Sequence, residues 1–93
     1  MLVRIRLFAR LREIAGASEL ERTLPDGATA RTAWDVLVAE FPPLGDYAAV
    51  VSCAVNEEYT RLTATLKAGD EVAFLPPVSG GSAKGPDEDG PVQ

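Results

Sequence analysis

Residues 2–8, "LVRIRLF", alternate: Val3, Ile5 and Leu7 point one way, Arg4 and Arg6 the other. That period of two predicts a half-buried strand over 3–8, with Phe8 on the arginine side. "ARLREIAG" then places Leu11, Ile14 and Ala15 at helical spacing with Gly16 as a stop, enough for one or two turns. "SELERTL" (18–24) alternates weakly, Leu20 and Leu24 facing in, and reads as a second strand paired with the first. "PDG" (25–27) is turn chemistry. The strongest helix lies in "ATARTAWDVLVAEF" (28–41), where Ala30, Trp34, Leu37, Val38 and Phe41 form one apolar stripe. Asp26 or Thr29 can cap it, and Pro42 and Pro43 end it. Trp34 sits inside that stripe and reads as core.

"AVVSCAVN" (49–56) is apolar on both faces and predicts a central strand, with Cys53 as a small buried hydrophobe. "NEEY" (56–59) offers a turn, "TRL" (60–62) a short strand, and "KAGDE" (67–71) a second turn with Gly69 available for positive φ. "EVAFL" (71–75) is the last strand, Val72 and Phe74 on one face. The order is strand, short helix, strand, main helix, three strands. It predicts an α+β fold of two layers, a mixed sheet with the main helix packed on one face. The crossover rule places the first and last strands centrally.

At 93 residues the chain is one small domain. It has no histidine and one cysteine, which removes the usual ligands of a transition metal and excludes Ser–His–Asp and Cys–His catalysis. A net charge of −5 argues against nucleic acid as a partner. No apolar run is long enough to span a bilayer, and Arg4 and Arg6 interrupt any signal-peptide run, so the expectation is a cytoplasmic protein with no membrane partner.

The remaining chemistry lies in "FLPPVSGG" (74–81). Pro76 and Pro77 have fixed φ and no N–H, so the chain leaves the sheet stiff and extended. Val78 and Ser79 are small, and Gly80 and Gly81 carry no side chain. The six residues 76–81 reach roughly 20 Å. Such an arm can thread a narrow channel and present a carboxylate at a remote site. A Gly-Gly pair can also simply begin a flexible linker.

Three stretches, "RLFARLRE" (6–13), "AVN" (54–56) and "GDEVAFLPPVSGG" (69–81), carry a resemblance over essentially 1–81 to sulfur carriers of the MoaD type. These are small subunits of molybdopterin synthase within the MoaD/ThiS ubiquitin-like family. The resemblance implies a ubiquitin-like β-grasp fold. It implies that an activating enzyme adenylates the terminal Gly81 carboxylate with ATP and that sulfur displaces AMP. The resulting thiocarboxylate would be inserted into the large subunit, in a heterotetramer, and its sulfur passed to a pyranopterin precursor. The carrier itself binds no cofactor and no metal. Gly81 is then the sulfur-bearing position and Gly80 its slim neighbour. Phe74, Pro76, Pro77 and Val78 would line the docking surface, with Phe8, Tyr59 and Leu62 as further apolar contacts. For Phe8 and Phe74, plain core is the competing reading. Arg10 matches a position that is often polar in the family.

This sequence departs from the pattern after Gly81. "SAKGPDEDGPVQ" (82–93) is rich in Gly, Pro and acids, so the expected division is a carrier domain over 1–81 and a disordered acidic extension over 82–93. While the extension is attached, Gly81 has no carboxylate. Removal by a processing protease, a linker remnant, or a blocked carrier would each explain it. Ubiquitin-like protein modification and sulfur delivery to thiamine, cysteine or tRNA thiolation use the same chemistry and remain the alternatives.

Overall fold

The computed structural model describes residues 1–77. β1 (Leu2–Leu7) buries Val3, Ile5 and Leu7 and turns its arginines to the other face. The strand ends one residue earlier than its alternation predicts. Phe8 is the N-cap of α1 (Ala9–Ala15), and the chain reverses through Ala9 at φ 52°. Left-handed backbone at an alanine costs about 1 kcal/mol. Gly16 (φ 74°) ends α1 in the left-handed conformation and donates its N–H to the Arg12 carbonyl. β2 (Glu19–Thr23) returns antiparallel to β1, from Arg6 opposite Glu19 to Leu2 opposite Thr23.

α2 (Ala30–Glu40) is capped by Thr29, not Asp26. Thr29 Oγ1 accepts from the Thr32 N–H, and Thr32 Oγ1 accepts from the Thr29 N–H. Its buried stripe is Ala30, Ala33, Trp34 and Leu37; Val38 and Phe41 are only half-buried. The stripe's centre therefore lies nearer the helix start than the large residues suggest. Pro42 and Pro43 do more than end α2. They open a 3₁₀ helix, Pro42–Tyr47, where a missing N–H costs nothing, and Leu44 seals the core from it.

The strand expected over 49–56 is shorter: β3 is Ser52–Val55. The Tyr47 carbonyl accepts from the N–H groups of both Val50 and Val51, which holds that stretch in a turn. β4 is Glu58–Thr60 rather than 60–62, because the hairpin turn needs only two residues, Asn56 (φ 51°) and Glu57 (φ 72°). Two consecutive positive φ values match the right-handed twist of the flanking strands. β5 (Glu71–Leu75) runs parallel to β1 and antiparallel to β3. The sheet order is β2-β1-β5-β3-β4, so the first and last strands are adjacent inside the sheet, as the crossover rule requires.

The core fills the space between α2 and one face of this sheet. Trp34 and Phe74 meet at its centre, ring centroids 5.0 Å apart. Cys53 is buried on the same face with its Sγ on the Thr60 carbonyl, and burial pushes its thiol pKa up. Leu62, Ala64 and Leu66 lie in the segment that joins β4 to β5. This segment bonds to the start of α2: Ala30 N–H to the Ala64 carbonyl, Arg31 N–H to the Leu62 carbonyl, and Leu66 N–H to the Ala28 carbonyl. A five-stranded mixed sheet grasping one helix in this order is the β-grasp fold.

Candidate functional site

The sheet's other face, away from α2, carries the candidate site. Strand register sets a row of residues across four elements there: Arg6 on β1, Ala73 on β5, Ala54 on β3 and Tyr59 on β4. The two alanines make a low floor. Phe8 and Leu75 stand at one end and Tyr59 at the other, enclosing a shallow groove of about 180 Å³. Tyr59 is 76% exposed, the most accessible large apolar side chain among the described residues.

Charge borders the groove. The Arg6 guanidinium lies 5.2 Å from the Phe8 ring centroid, a cation–π stack, and 3.6 Å from the Glu71 carboxylate. Arg4 continues the line, 3.5 Å from Glu71 and 3.1 Å from Glu19. These pairs are solvent-exposed and add little stability. Glu71 holds the Arg6 guanidinium beside the Phe8 ring.

A polar clasp fixes the hairpin that carries Tyr59. Asn56 Oδ1 accepts from the Glu71 N–H (3.0 Å), its Nδ2 donates to Asp70 Oδ1 (3.0 Å), and Asp70 Oδ2 accepts from the Lys67 N–H (2.8 Å). The Asn56 bond, then the Lys67 N–H, hold the Asp70 carboxyl below the usual range. A depressed carboxylate stabilises the fold fully above its ordinary pKa, and that stability is lost as pH falls through the folded value. Below about pH 4, wild type is therefore expected to lose stability more steeply than Asp70→Asn. Urea midpoints at pH 6 and pH 3 measure this; equal losses in both chains would remove Asp70 from the account.

The residues singled out from the sequence separate into three groups. Phe8 and Tyr59 come together at the groove. Pro76, half-buried, and Pro77, exposed, follow directly from Leu75 and begin the arm. Phe74 is a correction: it is 0% exposed, has no surface to offer a partner, and is core. Leu62 is also displaced, because it is half-buried against the core in the segment over α2 and does not line the groove. Val78, Gly80, Gly81 and the extension 82–93 lie outside the described residues. Arg10 pairs with Glu13 at 3.0 Å on the exposed side of α1.

Ala54, Ala73 and Leu75 were not anticipated, nor was Asn56 as a clasp. The alternation carried a signal: Ala73 and Leu75 must face away from Val72 and Phe74. Small residues at outward positions of inner strands mark a place where another surface can approach. Among the described residues no three His, Cys, Asp or Glu side chains gather as a metal site, and no helix is long and apolar enough to cross a membrane. The groove holds no nucleophile and no acid–base pair.

Fold and groove define a ubiquitin-like β-grasp protein whose last strand, β5, ends beside a shallow groove floored by small residues. The ThiS family model matches residues 5–81, and the chain belongs to that family. It is 42% identical over 79 residues to the molybdopterin synthase sulfur carrier subunit of Arabidopsis thaliana, covering 85% of this chain and 82% of that protein. The human protein of the same name is 33% identical over 82 residues, covering 85% and 93%. The crystal structure of SAMP1 from Haloferax volcanii matches with a TM-score of 0.75 at 33% identity, over 87% of this chain and 100% of that one.

Proposed function

We propose that this protein is the sulfur carrier subunit of a molybdopterin synthase. One observation carries the reading: the Pro-Pro arm starts at Leu75, itself a wall of the apolar groove, so docking at the groove aims the arm into whatever binds there. The names of its relatives support the same role. Phe8 and Tyr59 anchor the domain on the large subunit, with two copies of each subunit in the assembly. Pro76, Pro77 and Val78 line the channel, and Gly80 lets the backbone pass.

A free carboxylate is a poor acyl donor. An activating enzyme joins the Gly81 carboxylate to AMP from ATP, with release of pyrophosphate. A sulfur nucleophile then attacks the carbonyl carbon and AMP leaves. The thiocarboxylate sulfur is tethered, nucleophilic and sheltered inside the large subunit, whose side chains supply acid–base catalysis. The acceptor is a pyranopterin precursor. All of this requires a free Gly81 carboxylate, so a protease removes 82–93 first.

The chain ending at Gly81 retains the whole core, which lies between Val3 and Phe74. Incubated with an activating enzyme, ATP and a sulfur source, it is expected to exchange one oxygen for sulfur by intact mass, and the 93-residue chain to remain unchanged. No exchange in the shorter chain, where a control carrier reacts, would refute the proposal. A second reading is a protein modifier, favoured by 36% identity to small archaeal modifier protein 1 of Haloferax volcanii. Ladders of conjugates in a lysate, rather than one heteromeric complex, would select it.

A further inference from the structure

The geometry points to Glu57 and Tyr59 as a receptor for an arginine side chain of the partner that docks on the groove. The inference deepens the carrier reading and rests on its large-subunit partner. One end of the groove shows the pattern complete. There the Arg6 guanidinium lies 5.2 Å from the Phe8 ring centroid and 3.6 Å from the Glu71 carboxylate. A cation set between an aromatic ring and a carboxylate is attracted by both. At the other end Tyr59 and Glu57 line the same groove, and both are exposed. They supply a second ring and a second carboxylate. Among the described residues the groove's one basic lining residue is Arg6, which Glu71 already engages, and no ion pair engages Glu57.

The backbone at Glu57 is a second, independent observation. Glu57 is the second residue of the two-residue turn between β3 and β4, at φ 72°. That position favours glycine, because a Cβ there crowds the following carbonyl oxygen. Asn56 before it, at φ 51°, offsets its own left-handed backbone through its bonds to Glu71 and Asp70. Among the described residues no side-chain hydrogen bond does this for Glu57. The side chain opposes its own backbone without a compensating bond in the fold. Strain of this kind at the rim of a docking face points to a role in binding.

An arginine fits this pair better than a lysine. Its guanidinium is planar, so it can lie on the Tyr59 ring while its N–H fork faces the Glu57 carboxylate. A lysine ammonium is a compact, strongly hydrated charge and gains less from the ring. The chain's net charge of −5 adds attraction for a basic partner surface. Arg4, Arg6, Arg10, Arg22 and Arg31 of this chain are already paired with carboxylates, so a second copy is the poorer source of the guanidinium. Tyr59 is the anchor assigned above, and Glu57 sets the choice of partner at its rim.

Calorimetry of the full chain against the large subunit tests this. Glu57→Gln is expected to bind roughly tenfold more weakly at low salt, with the gap closing as salt rises. Glu57→Gly should lose affinity likewise while its urea midpoint does not fall. A midpoint that falls with the affinity would assign Glu57 to the fold instead. Each arginine of the large subunit is then replaced by lysine. One replacement should weaken binding of wild type and leave that of Glu57→Gln unchanged. No such arginine, or Glu57→Gln binding as wild type does, would overturn the assignment. So would a loss confined to self-association of this chain. If wild type does not bind the large subunit, the carrier reading fails, and a Gly-Arg-Gly peptide decides the receptor separately. By NMR it should shift the Tyr59 signals more than Gly-Lys-Gly does, and Glu57→Gln should remove the difference. Equal shifts from the two peptides would overturn the receptor as well.

Discussion

Phe74→Ala is expected to unfold the domain. The ring is fully buried and packs at a tilt against Trp34, centroids 5.0 Å apart, between α2 and the central strand. Truncating a buried Phe removes its transfer free energy and leaves a cavity, together about 3–5 kcal/mol. A small domain of this kind has roughly 5–10 kcal/mol in total. Urea unfolding followed by Trp34 fluorescence should therefore show a large fall in midpoint, or no folded baseline. The family resemblance assigns Phe74 to the docking surface, which makes the opposite forecast: an unchanged midpoint and a weakened complex. That second outcome would require the β5 face assignment to be wrong.

Tyr59→Ala is expected to do the reverse. Tyr59 is 76% exposed and opposes only Ala54 across the β3–β4 pair, so its removal should leave the unfolding midpoint nearly unchanged. An exposed aromatic at the rim of a small-residue groove has the properties of a binding anchor. Truncating such an anchor costs about 2 kcal/mol or more, roughly a 30-fold loss of affinity. Titration calorimetry of the variant against the large subunit measures it. Affinity within threefold of wild type would move the docking surface elsewhere. Together the two substitutions separate a residue that holds the fold from one that uses it.

Secondary structure was legible wherever periodicity ran long. Val3, Ile5 and Leu7 announced β1, Trp34 and Leu37 announced α2, and Val72 and Phe74 announced β5. Errors fell where short-range hydrogen bonding outweighed pattern. Tyr47 drew Val50 and Val51 into a turn and shortened β3. Asn56, held by Glu71 and Asp70, closed the hairpin in two residues and moved β4 two positions earlier. Pro42 and Pro43 were read as a stop, but a proline at a helix start is equally content, and a 3₁₀ helix follows.

The site divides differently. From the chain alone came the arm of two prolines and two glycines and, with no histidine and one cysteine, the expectation that its backbone carries the chemistry. Which side chains share the open face of the sheet was settled by pairing between strands distant in sequence. Alternation says that Phe74 and Leu75 face opposite ways, but not which face meets α2. Register across β1, β5, β3 and β4 answered that, burying Phe74 against Trp34 and lining up Arg6, Ala73, Ala54 and Tyr59 on the open side. The physical reason is that a strand's two faces become different only when something is packed against one of them.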